Sequence, residues 1–153
     1  MENNVYYKHC DINDENISLH DCHATNIFYE HGVVSFVFKD GIWISNHHSN
    51  NSCNENVRSD IAEVKFSLEF ENEYDITIYV FEEKFNKTYR EEWKLSKLME
   101  YINHKKCTLE FLYQYKGYQS SIFECWLWLD KKSYHKECEL KISYKDVKYC
   151  WND

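Results

Sequence analysis

Apolar and polar positions alternate most regularly between residues 64 and 71, where Val64, Phe66, Leu68 and Phe70 interleave with Lys65, Ser67, Glu69 and Glu71. A period of two predicts a strand with one buried and one wet face. Glu71 to Tyr74 reads as a turn into a second strand over 75–81, with Ile76, Ile78 and Val80 on one side and Tyr79 and Phe81 on the other. Upstream, the apolar runs 27–29, 33–38 and 42–44 are separated by Glu30-His31-Gly32 and by Lys39-Asp40-Gly41. Gly turns between short β-rich runs predict hairpins, so these three segments are expected to form a meander. Residues 46–56 carry Asn, His, Ser and Cys53 without a period, which predicts a long loop. Such loops often carry a task.

The stretch 87–104 fits two patterns. Thr88 and Glu91 have capping-box spacing, whereas Tyr89, Glu91, Trp93 and Leu95 alternate. The alternation predicts a strand to about Lys94, with Ser96 as N-cap of a short helix. Leu95, Leu98, Met99 and Ile102 form that helix's apolar stripe, and it ends near 103–106. Beyond it, 108–115 and 118–129 around Lys116-Gly117 predict a hairpin, followed by a strand over 137–144. Phe123, Cys125, Leu127 and Leu129 oppose Ile122, Trp126 and Trp128, so 118–129 is apolar on both faces and belongs in the centre of a sheet. The fold class that follows is mainly β, an antiparallel barrel or sandwich of about eight or nine strands with one short packed helix. Residues 1–153 suit a single domain.

Composition narrows the function classes. With 43% hydrophobic and 18% aromatic residues the chain folds, and with no Pro and three Gly its turns fall to Asn, Asp, Ser and Lys. The net charge of −8 repels phosphate backbones, which argues against nucleic acid. The opening Met1-Glu2-Asn3-Asn4 lacks the basic and apolar regions of a secretory signal, and no apolar run approaches the ~20 residues that span a bilayer. These features predict a cytoplasmic protein with no membrane partner. The seven cysteines, at 10, 22, 53, 107, 125, 138 and 150, show no framework spacing and are expected as reduced thiols, several of them buried. Sequons at Asn16, Asn50 and Asn86 carry no consequence in that compartment.

Candidate chemistry concentrates at His20-Asp21-Cys22-His23, with His9 and Cys10 before it and His47, His48 and Cys53 after it. His20 and Cys22 would share a strand face, and the loop could bring His47, His48 or Cys53 to complete a metal site or a thiol enzyme's centre. The spacings are not those of zinc sites, and neighbouring strand residues point apart, so the expectation is no metal, no cofactor and no catalytic residue. Histidines at the surface or in turns and a buried Cys22 account for the pattern. The run Glu69, Glu71, Glu73 and Asp75 is the preferred binding feature, a negative patch for a basic protein. Tyr113, Tyr115, Tyr118, Trp126, Trp128, Tyr134, Tyr144, Tyr149 and Trp151 crowd the C-terminal part, and any left exposed beside acidic groups would resemble an interaction hot spot.

The segment Leu19-His20-Asp21-Cys22, followed by strands ending in Asp40-Gly41-Ile42-Trp43-Ile44, resembles small uncharacterised β-rich bacterial proteins of the toxin-immunity type. The resemblance implies a non-enzymatic protein-binding module that neutralises a basic toxin, and it carries over no functional residue. Two alternatives stay open: a β-barrel that binds a small ligand in its mouth, and a metal- or thiol-dependent enzyme using the His/Cys cluster near residue 20.

Overall fold

The computed structural model describes residues 5–129 and 134–153. The polar opening Met1–Asn4 lies outside them. Thirteen antiparallel strands form β1 (His9–Ile12), β2 (Ile17–Ser18), β3 (Cys22–Ala24), β4 (Asn26–Glu30), β5 (Val33–Phe38), β6 (Trp43–Ile44), β7 (Val57–Arg58), β8 (Ala62–Leu68), β9 (Ile76–Lys84), β10 (Lys87–Trp93), β11 (Thr108–Gly117), β12 (Ser120–Trp128) and β13 (His135–Trp151). One helix, α1, covers Leu95–His104. The predicted mainly-β class with a single packed helix holds. Among the described residues there are thirteen strands rather than eight or nine because pairings of two to four residues, too short to show a period, add β1, β2, β3 and β7.

The organising element is β13. Its first half pairs with β12 on one edge and β9 on the other, and its second half with β1 and β8. A register shift between Tyr144 and Asp146 marks the change. The ladder runs β3-β11-β12-β13-β8-β5-β4 without closing, so the two arms face each other as a sandwich and not as a closed barrel. Phe36, Phe66, Phe111 and Phe123 meet between them with ring centroids 5.1–5.9 Å apart. Their mostly edge-on packing fills the interior.

Several expectations are corrected in detail. The meander stops at two strands, because β6 pairs with β2 and β7 and leaves β5 to pair with β8. The Asp40-Gly41 turn causes this. Gly41 has φ +85° and lies so close to Ser59 that a Cβ would come within 1.9 Å of its carbonyl oxygen. Ile42 N–H then donates to Ser59 Oγ at 3.0 Å, which steers the chain away from the hairpin. The N-cap of α1 is Lys94 and not Ser96, since β10 runs to Trp93 and Lys97 N–H already donates to Lys94 O at 3.0 Å. Leu95, Leu98 and Ile102 are buried as the stripe predicted. The β11–β12 turn sits at Tyr118-Gln119, with Gln119 at φ +48°, and Gly117 remains in the strand. The strand expected over 137–144 extends from 135 to 151, and the polar lead-in contributes β1.

Helix α1 also solves an edge problem. Asn103 accepts from Ile27 N–H at 2.9 Å and donates to Ile27 O at 2.7 Å, standing in for a neighbouring strand on the free edge of β4. Ile27 is fully buried, so both backbone groups would otherwise lack water.

Candidate functional site

Tertiary structure gathers the acidic run and part of the aromatic set at one end of the sandwich. Glu69 N–H donates to Ser143 O at 3.1 Å, while the next residue on β13, Tyr144, donates its N–H to Gln119 O at 3.0 Å. The two turns therefore flank one point of β13 from opposite edges, two strand spacings or about 10 Å apart. The β4–β5 turn joins them: Leu68 N–H donates to Gly32 O at 2.9 Å, and Tyr29 Oη donates to Glu71 O at 3.3 Å. At Gly32, φ is +74° and a Cβ would fall 2.7 Å from Glu71 Cβ, so only glycine permits this approach.

Phe70, Tyr74 and Tyr118 stand out from this end at 72%, 86% and 90% exposure. Around them lie Glu30, Glu69, Glu71 and Glu73, countered by Lys116 and by Lys145, whose Nζ is 3.6 Å from Glu71. Of the four predicted carboxylates, Glu69 is half-buried, Glu71 and Glu73 are exposed, and Asp75 turns inward. Asp75 Oδ2 accepts from Phe70 N–H at 2.8 Å and Asn72 N–H at 3.4 Å, while Asn72 Oδ1 accepts from Tyr74 N–H at 2.9 Å. This is a reciprocal cap on the 3-10 turn Glu73–Asp75. It also ends β8 at Leu68, which moves Phe70 off the apolar face where alternation had put it. Asn72 and Asp75, three apart, were the available signal.

The predicted His/Cys constellation disperses. Cys22 is fully buried and its thiol donates to His20 O at 3.4 Å; burial pushes it up to about 11, far from a nucleophile's range. His20 is exposed, with Nδ1 donating to Leu112 O at 2.6 Å. Cys53 is exposed, and no grouping of His20 or Cys22 with His47, His48 or Cys53 occurs among the described residues. The cleft beside His20, lined by Ser18, Phe111, Tyr113 and Gln114 among others, holds about 50 Å³. That is well below the ~300–1,000 Å³ of ordinary small-molecule sites.

His48 lies in a turn, as expected, but it is buried there. It is the hub of a different group. Asn50 N–H donates to its Nδ1 at 2.9 Å, which leaves the ring proton on Nε2. That proton is shared between Asp11 and, at 3.0 Å, Asp14. The three ligand-type atoms lie within 4.8 Å of one another. A metal on Nε2 would have to displace this proton and leave a ring with no N–H, so the tautomer suits an anchor for the 46–56 loop rather than a metal ligand.

No family model, curated protein or solved structure matches this chain.

The cysteines depart from expectation at one place. Cys10 and Cys150 face each other across β1 and β13 and are joined as a disulfide. Five thiols are free, and of these only Cys53 is exposed. Framework spacing could not reveal the bridge, because its two members lie 140 residues apart and meet only through the β1–β13 register. The remaining aromatic concentration lies on the outer face of β12 and β13, where Trp126 stacks on His135 at 4.2 Å and Trp128 Nε1 donates to Glu110 Oε2 at 2.8 Å. Both tryptophans are half-buried and engaged by these neighbours.

Proposed function

We propose that this protein is a non-enzymatic binding module that engages a basic protein through the end formed by Phe70, Tyr74, Tyr118, Glu69, Glu71 and Glu73. The observation that carries the reading is the convergence at one end of the sandwich of the acidic run, with its exposed Phe70 and Tyr74, and the exposed Tyr118 from a turn more than forty residues further along the chain. Aromatic side chains supply contact area at small entropic cost, and surrounding carboxylates steer a cationic partner and set its register. Neutralisation of a basic toxin in the bacterial cytoplasm is the specific form that the toxin-immunity resemblance suggests. A filled interior and unreactive buried thiols give the barrel and thiol-enzyme alternatives less support.

The test is association kinetics with basic proteins captured from the source cell on the immobilised chain. Replacing Glu69, Glu71 and Glu73 by Gln keeps side-chain size. The association rate should fall by about tenfold and its salt dependence should flatten, with dissociation changed less. Replacing Phe70 and Tyr118 by Ser should instead speed dissociation. If both variants bind a captured partner with unchanged kinetics, this end is not the interface.

A further inference from the structure

The chain holds two pairs of cysteines placed directly opposite each other on neighbouring strands, Cys10 with Cys150 and Cys125 with Cys138. Solvent access separates their chemistry. Cys125 and Cys138 lie inside the sandwich at 2% and 3% exposure, and burial holds both thiols well above their ordinary range, Cys138 at about 12. They form no thiolate at neutral pH and present no sulfur to a reagent. Cys10, in contrast, is exposed, and it sits in a four-residue strand whose only ladder among the described residues is with β13. Cys150 beneath it is buried.

We propose that the Cys10–Cys150 bridge is a thiol–disulfide exchange site for low-molecular-weight thiols of the glutathione class, and that its reduction releases β1 from β13. Access fixes the order of events. The external thiolate attacks the sulfur of Cys10, the exposed partner; the S–S bond breaks, and Cys150 leaves as a thiolate that takes a proton. A second external thiol then attacks the mixed disulfide on Cys10. Two electrons pass to the protein, which gains two thiols, and the external thiols leave as their disulfide. The same disulfide is the oxidant when the reaction runs backwards.

Release of β1 rests on its being four residues long and laddered, among the described residues, to β13 alone. Short edge strands open at the low end of the local stability range. The fastenings that stay in place are the four-residue ladder with β13, Asn13 N–H on Val147 O at 2.8 Å and Asn13 Oδ1 on Val147 N–H at 2.9 Å, Asp11 and Asp14 on His48, the His9 ring on Trp151 and Asp153, and Lys8 on Asp153 at 2.7 Å. Of these, the Lys8 pair is exposed and weak. Opening uncovers Cys150 and Trp151, both now buried.

The experiment uses the full chain purified without reductant. Native protein is incubated with or without millimolar reduced glutathione, alkylated with iodoacetamide and mapped by mass spectrometry, with amide exchange followed in parallel. Before reduction only Cys53 should be labelled. Afterwards Cys10 and Cys150 should both join it, with a glutathione adduct on Cys10 as the transient species, Cys125 and Cys138 should stay unlabelled, and exchange over residues 9–12 should accelerate by about tenfold or more while β12 is unchanged. Three results would overturn the proposal: a bridge that survives glutathione, a reduction that leaves Cys150 unlabelled and exchange over 9–12 unaltered, or a chain in which oxidised glutathione fails to form the bridge.

Discussion

Single side chains at this sandwich's margins do work that no sequence period announces. Asn103 satisfies both backbone groups of Ile27, so Asn103→Ala should lower stability by about 2 kcal/mol, near 1 kcal/mol for each bond. Asn103→Asp keeps the acceptor and loses the donor, and urea unfolding should rank it between the wild type and Ala. Buried thiols set an alkaline limit. Burial raises Cys22 from its ordinary 9.0 to about 11 and Cys138 to about 12, whereas the unfolded chain ionises near 9. Their contribution is therefore complete below pH 9 and is lost as pH rises from there through the folded values. Thermal midpoints measured between pH 8 and 11 should fall with pH, and fall less steeply in Cys138→Ala.

At the scale of elements, the strands with a clean period were legible: β8, β9, β12 and the stripe of α1 follow directly from alternation or from i, i+3, i+4, i+7 spacing. What alternation did not reveal was where an element stops and which neighbour it takes. Asp40-Gly41 is the instructive case, because the dipeptide does turn the chain but the contact with Ser59 redirects it to a different sheet. Gly41→Ala should thus cost about 2 kcal/mol or more, since its φ of +85° and the 1.9 Å approach leave no room for a Cβ. Gly117→Ala is the control. Its Cβ would meet the movable Ser120 hydroxyl at 3.1 Å and the Ser120 carbonyl oxygen at an ordinary 3.9 Å, and the unfolding midpoint should barely move. The Glu73–Asp75 turn teaches the same lesson, for an inward cap removed Asp75 from the acidic run that was expected to continue through it.

For the molecule as a whole, β13 decides the architecture and the Cys10–Cys150 bridge ties its end to the start of the chain. A cross-link spanning 140 residues restricts the unfolded ensemble strongly. Under oxidising conditions Cys10→Ser should lose about 2–4 kcal/mol of stability, and under reducing conditions that difference from the wild type should vanish. Guanidinium unfolding with and without reductant measures both.

The sequence by itself determined the mainly-β class, the single helix and its buried stripe, the central place of β12 and the acidic character of the 69–75 run. Each of these rests on local periodicity or composition, which act over a few residues. Tertiary structure alone decided that Tyr118 shares an end with Phe70, Glu69 and Glu71, that His48 meets Asp11 and Asp14, and that Cys10 meets Cys150. Those meetings depend on strand register between segments far apart in the chain, and register is set by which faces pack together, a choice that no short stretch of sequence contains.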